Sequence, residues 1–568
     1  MIYDFDIAII GSGISGSTLG AILARHGLRV VIFEAKSHPR FAIGESLILE
    51  TSEMMRAMAD LYDVPELAYF SSENFLSFSG TTHGIKRHFG FLHHTAGEPH
   101  DPQRTLQAII PNEPHGHELH LYRQDTDYFL MNTAIRYGAK VLQNTMVEAV
   151  DFSAESATLT TQSGKQVRVK YVVDACGFRS PLAQKFGLRD LEMQTHSRAI
   201  FTHMINVDHF SADEAAYDLP FPMAEGTLHH IFDGGWLWVI PFNNHAESTN
   251  PLCSVGLLLD PREHPVRKEI TPEQEFFEFI DQFPTVADQF KRAQAVRDWV
   301  RTPGRIQYSS TKTVGDRWAL LGHAAGFVDP FYSKGLYSSL TAAALLADLL
   351  LKGNETGDFS AETFRPFETT TLNYIQSADR LIANSYKSFK HPKLWQVYAV
   401  MWLLGAYTEL VKLNMMRAQH MRAQHSADRD PYLQTLFSLK LCGGGFAEFD
   451  DIANRVDTLI EAVDPYDEAA VEQTVAQINA IFAEVEWMAP PFRELLKGKT
   501  YLPKNKLRPE LLIPSKGFMG RGDYRKHFFG TLSMLDMLAY GITEKVRFAR
   551  PLLNRKHRQQ FKRHGMGA

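Results

Sequence analysis

The sequence predicts an α/β fold built on a parallel sheet, carrying a β-rich insert and a helical C-terminal region. Three observations lead there. An apolar strand, Phe5–Ile10, runs into Gly11-Ser-Gly13-Ile-Ser-Gly16 and then into a helix. A second strand, Leu28–Phe33, follows the helix-ending Gly27 and closes on Glu34. Far downstream, Gly315-Asp316-Arg317 and the apolar run to Leu321 return to a parallel-strand pattern, and the turn Gly322–Gly335 leads into a long helix reaching Leu351.

The first unit has the spacing that binds a dinucleotide. Its glycines let the backbone approach a pyrophosphate, and the helix start offers unpaired N–H groups. Glu34, 18 residues after Gly16, can bond a ribose hydroxyl. Ile14, Ile22 and Leu23 form the helix's apolar side, and Ala21 and Ala24 keep it slim. A strand-to-helix turn without ligand is the alternative, but three agreeing features favour binding.

After a polar loop, Lys36–Ser46, a helical pattern covers Leu47–Leu61, and Tyr69–His94 reads as strands and turns. Arg123-Gln-Asp-Thr-Asp caps a helix starting near Asp127. Lys140–Val150, Ala157–Thr161 and Lys170–Val173 alternate as strands do, and Arg198–Leu259 is strand-rich. A helix is expected over Pro272–Phe283, and beyond Gly353 the chain is helical, notably Phe364–Val411 and Arg455–Leu496. The predicted organisation is a cofactor domain, 1–350, whose nucleotide segments near 1–50, 120–180 and 310–350 interleave with substrate-side segments 51–119 and 185–305. A helical region, 351–568, ends in a basic tail, Arg547–Arg563, expected to be solvated.

Composition excludes several classes. A chain of 568 residues with 44% hydrophobic and 22% charged residues is ordinary for a globular protein of two or three domains. A net charge of −6 gives no general attraction to nucleic acid. Cys176, Cys253 and Cys442 lie far apart, which fits a reduced compartment without a disulfide framework. No leader is expected before the first strand. The most membrane-like stretch, Leu394–Leu410, carries Gln396, Thr408 and Glu409 and reads as a buried helix; a cytoplasmic protein is expected. His115, His117 and His120 invite a metal reading, but without paired cysteines a polar loop explains them.

The first glycine turn, Asp174-Ala-Cys-Gly177 and Gly315-Asp316 … Gly322–Pro330 together resemble the glutathione-reductase-type FAD-binding fold of aromatic hydroxylases and their relatives. Within it, Trp236-Leu-Trp238-Val-Ile-Pro241 matches the W-x-W-x-I-P pattern of the flavin-dependent halogenases, supported by Arg40–Ser46 and Gly326–Pro330. Gly84-Ile85-Lys86, Arg123–Phe129 and Leu228–His245 resemble the family's phenol-type members.

The resemblance implies FAD, used as FADH2 from a separate flavin reductase, with O2 and chloride or bromide as co-substrates. Hypohalous acid made at the flavin would pass internally to a catalytic lysine, here Lys86, and halogenate a phenolic substrate, free or carrier-bound. It assigns cofactor contacts to Gly11, Gly13, Ser15, Gly16, Glu34, Arg40, Ile43, Arg123, Asp174, Asp329 and Leu336. Halide would sit on the amides of Lys334 and Gly335, where a helix start favours an anion. Trp236, Trp238 and Pro241 would separate flavin from substrate. Two residues before the first of those amides, indole halogenases carry glutamate; Tyr332 stands there, which favours a phenol of the phloroglucinol or resorcinol type, activated by its own oxygen. His323 and Cys176 depart from the fold's usual residues. The alternatives are an NAD(P)H-dependent aromatic hydroxylase and a flavin-binding protein without catalysis. The choice of halide, the base for the phenol and the oligomeric state are not legible.

Overall fold

The computed structural model describes residues 3–210, 217–423, 430–502 and 521–548. The strand Ile7–Ile10 lies inside a six-stranded sheet ordered Val314–Gly315, Trp318–Leu320, Tyr171–Asp174, Ile7–Ile10, Val30–Phe33, Lys140–Leu142. All neighbours are parallel except the edge pair of the first two. The four residues Ile7–Ile10 are all buried because both faces of the sheet are covered. Ile7 and Ile9 pack with Leu19, Ile22 and Leu23 of the helix Ile14–Arg25. Ala8 and Ile10 pack with Val150, Leu159 and Val167 of a three-stranded antiparallel sheet, Val147–Phe152, Ala157–Thr161 and Gln166–Val169. This two-sided alternation is what a period-2 strand dictates.

The insert is a second sheet, whose central strands run Arg198–Ile205, Cys253–Leu259, Gly235–Pro241, Thr227–Phe232, His88–His93, Thr105–Ile109. Only Thr227–Phe232 and His88–His93 pair in parallel. Gly256 is required here. A Cβ on it would lie 2.1 Å from the Trp238 ring, so the missing side chain leaves the space the indole occupies. A separate ribbon pairs Gly84–Lys86 with Glu118–His120 and sets Lys86 opposite Glu118.

Three long helices, Lys334–Thr356, Ala361–Phe389 and Pro392–Arg422, join the two halves. The stretch Leu394–Leu410 lies within the third, with Leu394 and Glu409 fully buried. Among the described residues, the one helix long and apolar enough to cross a membrane is instead Lys334–Thr356, and 83% of its apolar window is buried inside the protein. Gly357, at φ 78°, ends that helix, so the expected boundary at 350 falls within an element.

Other boundaries moved for physical reasons. The helix expected near Asp127 begins at Arg123, whose guanidinium bonds Asp127 one turn on, at 2.8 and 3.1 Å. The segment from Tyr69 starts as short helical turns, and strands begin only at Gly84. Of the basic tail, Arg547 is described and is ion-paired with the buried Asp60 rather than solvated. The rest of the tail, 549–568, lies outside the described residues.

Candidate active site between two cavities

The cofactor end begins at Gly11. Its φ of 101° and a would-be Cβ contact of 2.8 Å with the Ala175 carbonyl oxygen allow only glycine. The helix Ile14–Arg25 has no capping side chain at Gly13 and no acid in its first turn, so its leading amides face outward unopposed. Glu34 accepts from the Ser12 amide at 3.1 Å and the Ser12 hydroxyl at 2.8 Å, with Arg40 at 3.5 Å. Buried Arg40 Nε has no partner among the described residues. Amide and guanidinium donors suit a pyrophosphate, and the fixed Glu34 carboxylate is an acceptor that suits a ribose hydroxyl.

From there a cleft of about 1330 Å³, partly open to solvent, is lined by Ile43, Arg123, Asp329, Leu336, Trp236, Trp238, Lys334 and Gly335, among others. Arg123 holds the loop carbonyls of Ile43 and Gly44 at 2.5 and 3.1 Å. The two indoles stand 5.9 Å apart, and Trp236 stacks on His229. Pro241 lines neither this cleft nor the apolar pocket described below; its carbonyl accepts from His120 Nδ1 at 2.8 Å, closing the strand end.

The two acids expected at the cofactor are each held by protein donors. Asp174 accepts from Ser180 Oγ at 2.6 Å and from the amides of Cys176 and Leu182, so its carboxylate braces its own turn. Asp329 lines the cleft, but its carboxylate takes Ser197 Oγ at 2.6 Å, Tyr386 OH at 3.0 Å and Trp236 Nε1 at 3.3 Å. Burial pushes Asp329 up to about 6, against those hydrogen bonds.

At the start of the helix Lys334–Thr356, Ser333 is left-handed at φ 56° and makes no side-chain cap. Its hydroxyl donates to Ser46 Oγ at 3.2 Å instead. Lys334 and Gly335, the first two residues of the helix, line the cleft, with the His323 ring 3.3 Å from where a Gly335 Cβ would be. The Lys334 ammonium turns away to Glu50 at 2.6 Å and Glu409 at 3.1 Å.

Lys86 is fully buried. Its Nζ donates to Ser46 Oγ at 2.7 Å and the Leu47 carbonyl at 2.6 Å, and lies 3.4 Å over the Phe89 ring. Ser46 lines the cleft, and Phe89 lines a second, apolar pocket of about 690 Å³. Lys334 lines both cavities, and Lys86 bridges from one wall to the other. Burial drives the Lys86 amine well below the ordinary lysine value, with Glu118 and Glu50 opposing. Burial also pushes Glu118 up to about 7. Arg87 points the other way, to Glu225 at 2.7 Å.

The apolar pocket is walled by Ile109, Ile110, Tyr332, Trp402, Tyr407, Phe492 and Leu502. Tyr332 stacks on Trp402 at 4.5 Å, and its hydroxyl is bonded to Ser385 at 2.9 Å. Sequence reading missed Glu118, Glu50, Phe89 and the C-terminal walls; a period-2 count from Lys86 across a paired strand would have found the first once pairing was known. The three histidines considered for metal bond apart: His115 to Glu544, His117 to Glu73, His120 to Thr227. His94 and His230 bond each other at 2.9 Å, away from both cavities.

Fold and cradle together define a flavoprotein, and residues 4–358 match the FAD binding domain family. The chain is 40% identical over 499 residues to tetracycline 7-halogenase of Kitasatospora aureofaciens, covering 86% of this chain and 88% of that one. It is 41% identical over 504 residues to monodechloroaminopyrrolnitrin halogenase PrnC of Pseudomonas fluorescens, covering 86% of each. The crystal structure of halogenase PltM with phloroglucinol and FAD superposes with a TM-score of 0.82 at 31% identity, covering 88% of this chain and 99% of that one. This chain belongs to the flavin-dependent halogenases. It is an FAD enzyme using FADH2, O2 and halide, and its relatives do not favour the NAD(P)H hydroxylase alternative.

Proposed function

We propose that this enzyme chlorinates or brominates an electron-rich phenol of the phloroglucinol or resorcinol type through hypohalous acid delivered to Lys86. FADH2 comes from a separate reductase, and the phenol is free or carrier-bound. The observation that carries this reading is Lys86 itself, buried between a cleft with a cofactor cradle and an apolar pocket. Bound reduced flavin, with oxygen and halide, supplies hypohalous acid. The chain does the rest. The Lys334 and Gly335 amides hold halide at a helix start. Trp236 and Trp238 fill the flavin-side wall and keep an organic ring off the oxidant's source. Ser333, Ser46 and Lys86 form a hydrogen-bonded line from the halide turn to the amine. A depressed amine holds the oxidant by a hydrogen bond or as a haloamine.

The phenolic choice rests on Tyr332, whose hydroxyl is tied to Ser385, so the expected indole-supporting carboxylate is replaced by a ring. The name of tetracycline 7-halogenase and the phloroglucinol bound to PltM point the same way. The test supplies FADH2 from an independent reductase, chloride or bromide, and panels of phenols and indoles, read by halogen isotope patterns in mass spectrometry. Halogenated phenols are expected; indoles alone becoming halogenated overturns the substrate class.

A further inference from the structure

We propose that Glu50 is the base that takes the phenolic proton of the substrate; this rests on the function proposed above. Glu50 is the one carboxylate among the described residues lining the apolar pocket. It is 4% exposed, and only Oε1 is engaged, by Lys334 Nζ at 2.6 Å. No hydrogen bond from the described residues reaches Oε2, which leaves an acceptor for a hydroxyl entering beside Phe89 and Trp402. The competing groups are used elsewhere. Glu118 is held by the Ser52 hydroxyl, the Tyr332 hydroxyl by Ser385, and Glu409 accepts from Lys334 and the Cys442 amide without lining the pocket.

Lys334 completes the device. Although burial opposes it, the Glu409 and Glu50 carboxylates hold its ammonium above the ordinary lysine value. A fixed positive charge beside Glu50 steadies the phenolate as it forms. Among the described residues, the charged and titratable groups facing Glu50 are Lys334 on its helix, Lys86 and Glu118 on the paired strands, Glu409 and Tyr407 on the helix Pro392–Arg422, and Tyr332 and Cys442 beside them. The step balances as follows. The phenol O–H bond breaks and its proton joins Glu50; the ring carbon bonds the halogen as the O–halogen bond of hypohalous acid breaks. Departing hydroxide takes the proton from Glu50 and leaves as water, and the halogenated dienone tautomerises to the phenol.

The test compares native enzyme and Glu50→Gln on resorcinol and on a polyfluorinated resorcinol already ionised at the assay pH. On resorcinol, kcat is expected to fall on the order of 100-fold, with its dissociation constant by calorimetry changing only a few-fold. On the ionised phenol kcat should change little. A native-like rate on resorcinol, or equal losses on both phenols, overturns the assignment. Native enzyme that halogenates neither phenol overturns both readings, whereas a native-like variant overturns Glu50 alone. Glu50→Asp keeps a carboxylate and should restore part of the resorcinol rate; no restoration, with the fold intact by FAD binding, also overturns it.

Discussion

Replacing Lys86 by methionine separates chemistry from folding at one atom. The side chain is fully buried, so methionine keeps the apolar stem and loses the amine. Two hydrogen bonds disappear, to Ser46 Oγ at 2.7 Å and the Leu47 carbonyl at 2.6 Å, together costing about 2 kcal/mol. Against this, the variant no longer buries an amine, a gain of roughly 1–3 kcal/mol. The two nearly cancel, so the melting temperature should move by less than about 4 °C. Halogenation should fall by at least about 100-fold while FAD binds as before. Stability also acquires a pH signature. Folded Lys86 loses its proton below the ordinary value of 10.5, so the unfolded chain binds more protons and native stability climbs as pH rises toward 10.5; the methionine variant lacks that slope. Scanning calorimetry across pH, with mass spectrometry of products, reads both. Product formation within tenfold of native would refute the role given to the amine.

Gly11→Ala forces a Cβ to 2.8 Å from the Ala175 carbonyl at φ 101°, so FAD affinity measured by flavin fluorescence should drop at least about tenfold. Gly256→Ala drives the Trp238 indole from its seat and should cost about 1–3 kcal/mol in urea unfolding. Burial raises Glu118 from 4.5 to about 7, so the native protein loses stability as pH rises through that window; Glu118→Gln should gain about 3 kcal/mol on it between pH 4 and pH 8. Ala406→Trp fills part of the apolar pocket and should raise KM for phenols more than tenfold, leaving hypohalous acid release unchanged in a thiol-trapping assay.

The nucleotide half was readable because its signals are local. Strand, glycine turn, helix and acid all fall between Phe5 and Glu34, and each has a short-range physical cause. Lys86, by contrast, was reached through a resemblance; nothing local distinguishes it from a surface lysine. Its partners lie 39 to 40 residues away at Ser46 and Leu47, and its cross-strand neighbour is Glu118. The hydrogen-bond partners of the two acids were illegible for a related reason. Asp174 and Asp329 occupy motif positions, but donors from Ser180, Ser197 and Tyr386 claim their oxygens, and no spacing rule announces such donors. The pocket walls from Trp402 to Leu502 were invisible because an apolar helix face looks alike whether it meets a neighbour or a cavity.

On the function proposed above, the reagent that halogenates the ring is made where no ring can reach and spent where no bulk water can. That requirement explains why the dividing wall draws on three distant segments rather than one. The loop around Ser46 belongs to the cofactor half, the Gly84–Lys86 strand to the ribbon beside the insert, and Lys334 to the helix that ties both to the C-terminal region. Lys334 lines both cavities and its ammonium is held by Glu50, so on the proposed function one residue would link the halide turn to the substrate side. The cleft side of this wall belongs to the FAD binding domain, residues 4–358, and is constrained by that cofactor. On that same proposal, the pocket side, which draws on the helices Leu49–Leu61, Lys334–Thr356 and Pro392–Arg422, is where substrate specificity can diverge without disturbing the cradle at Gly11, Glu34 and Arg40.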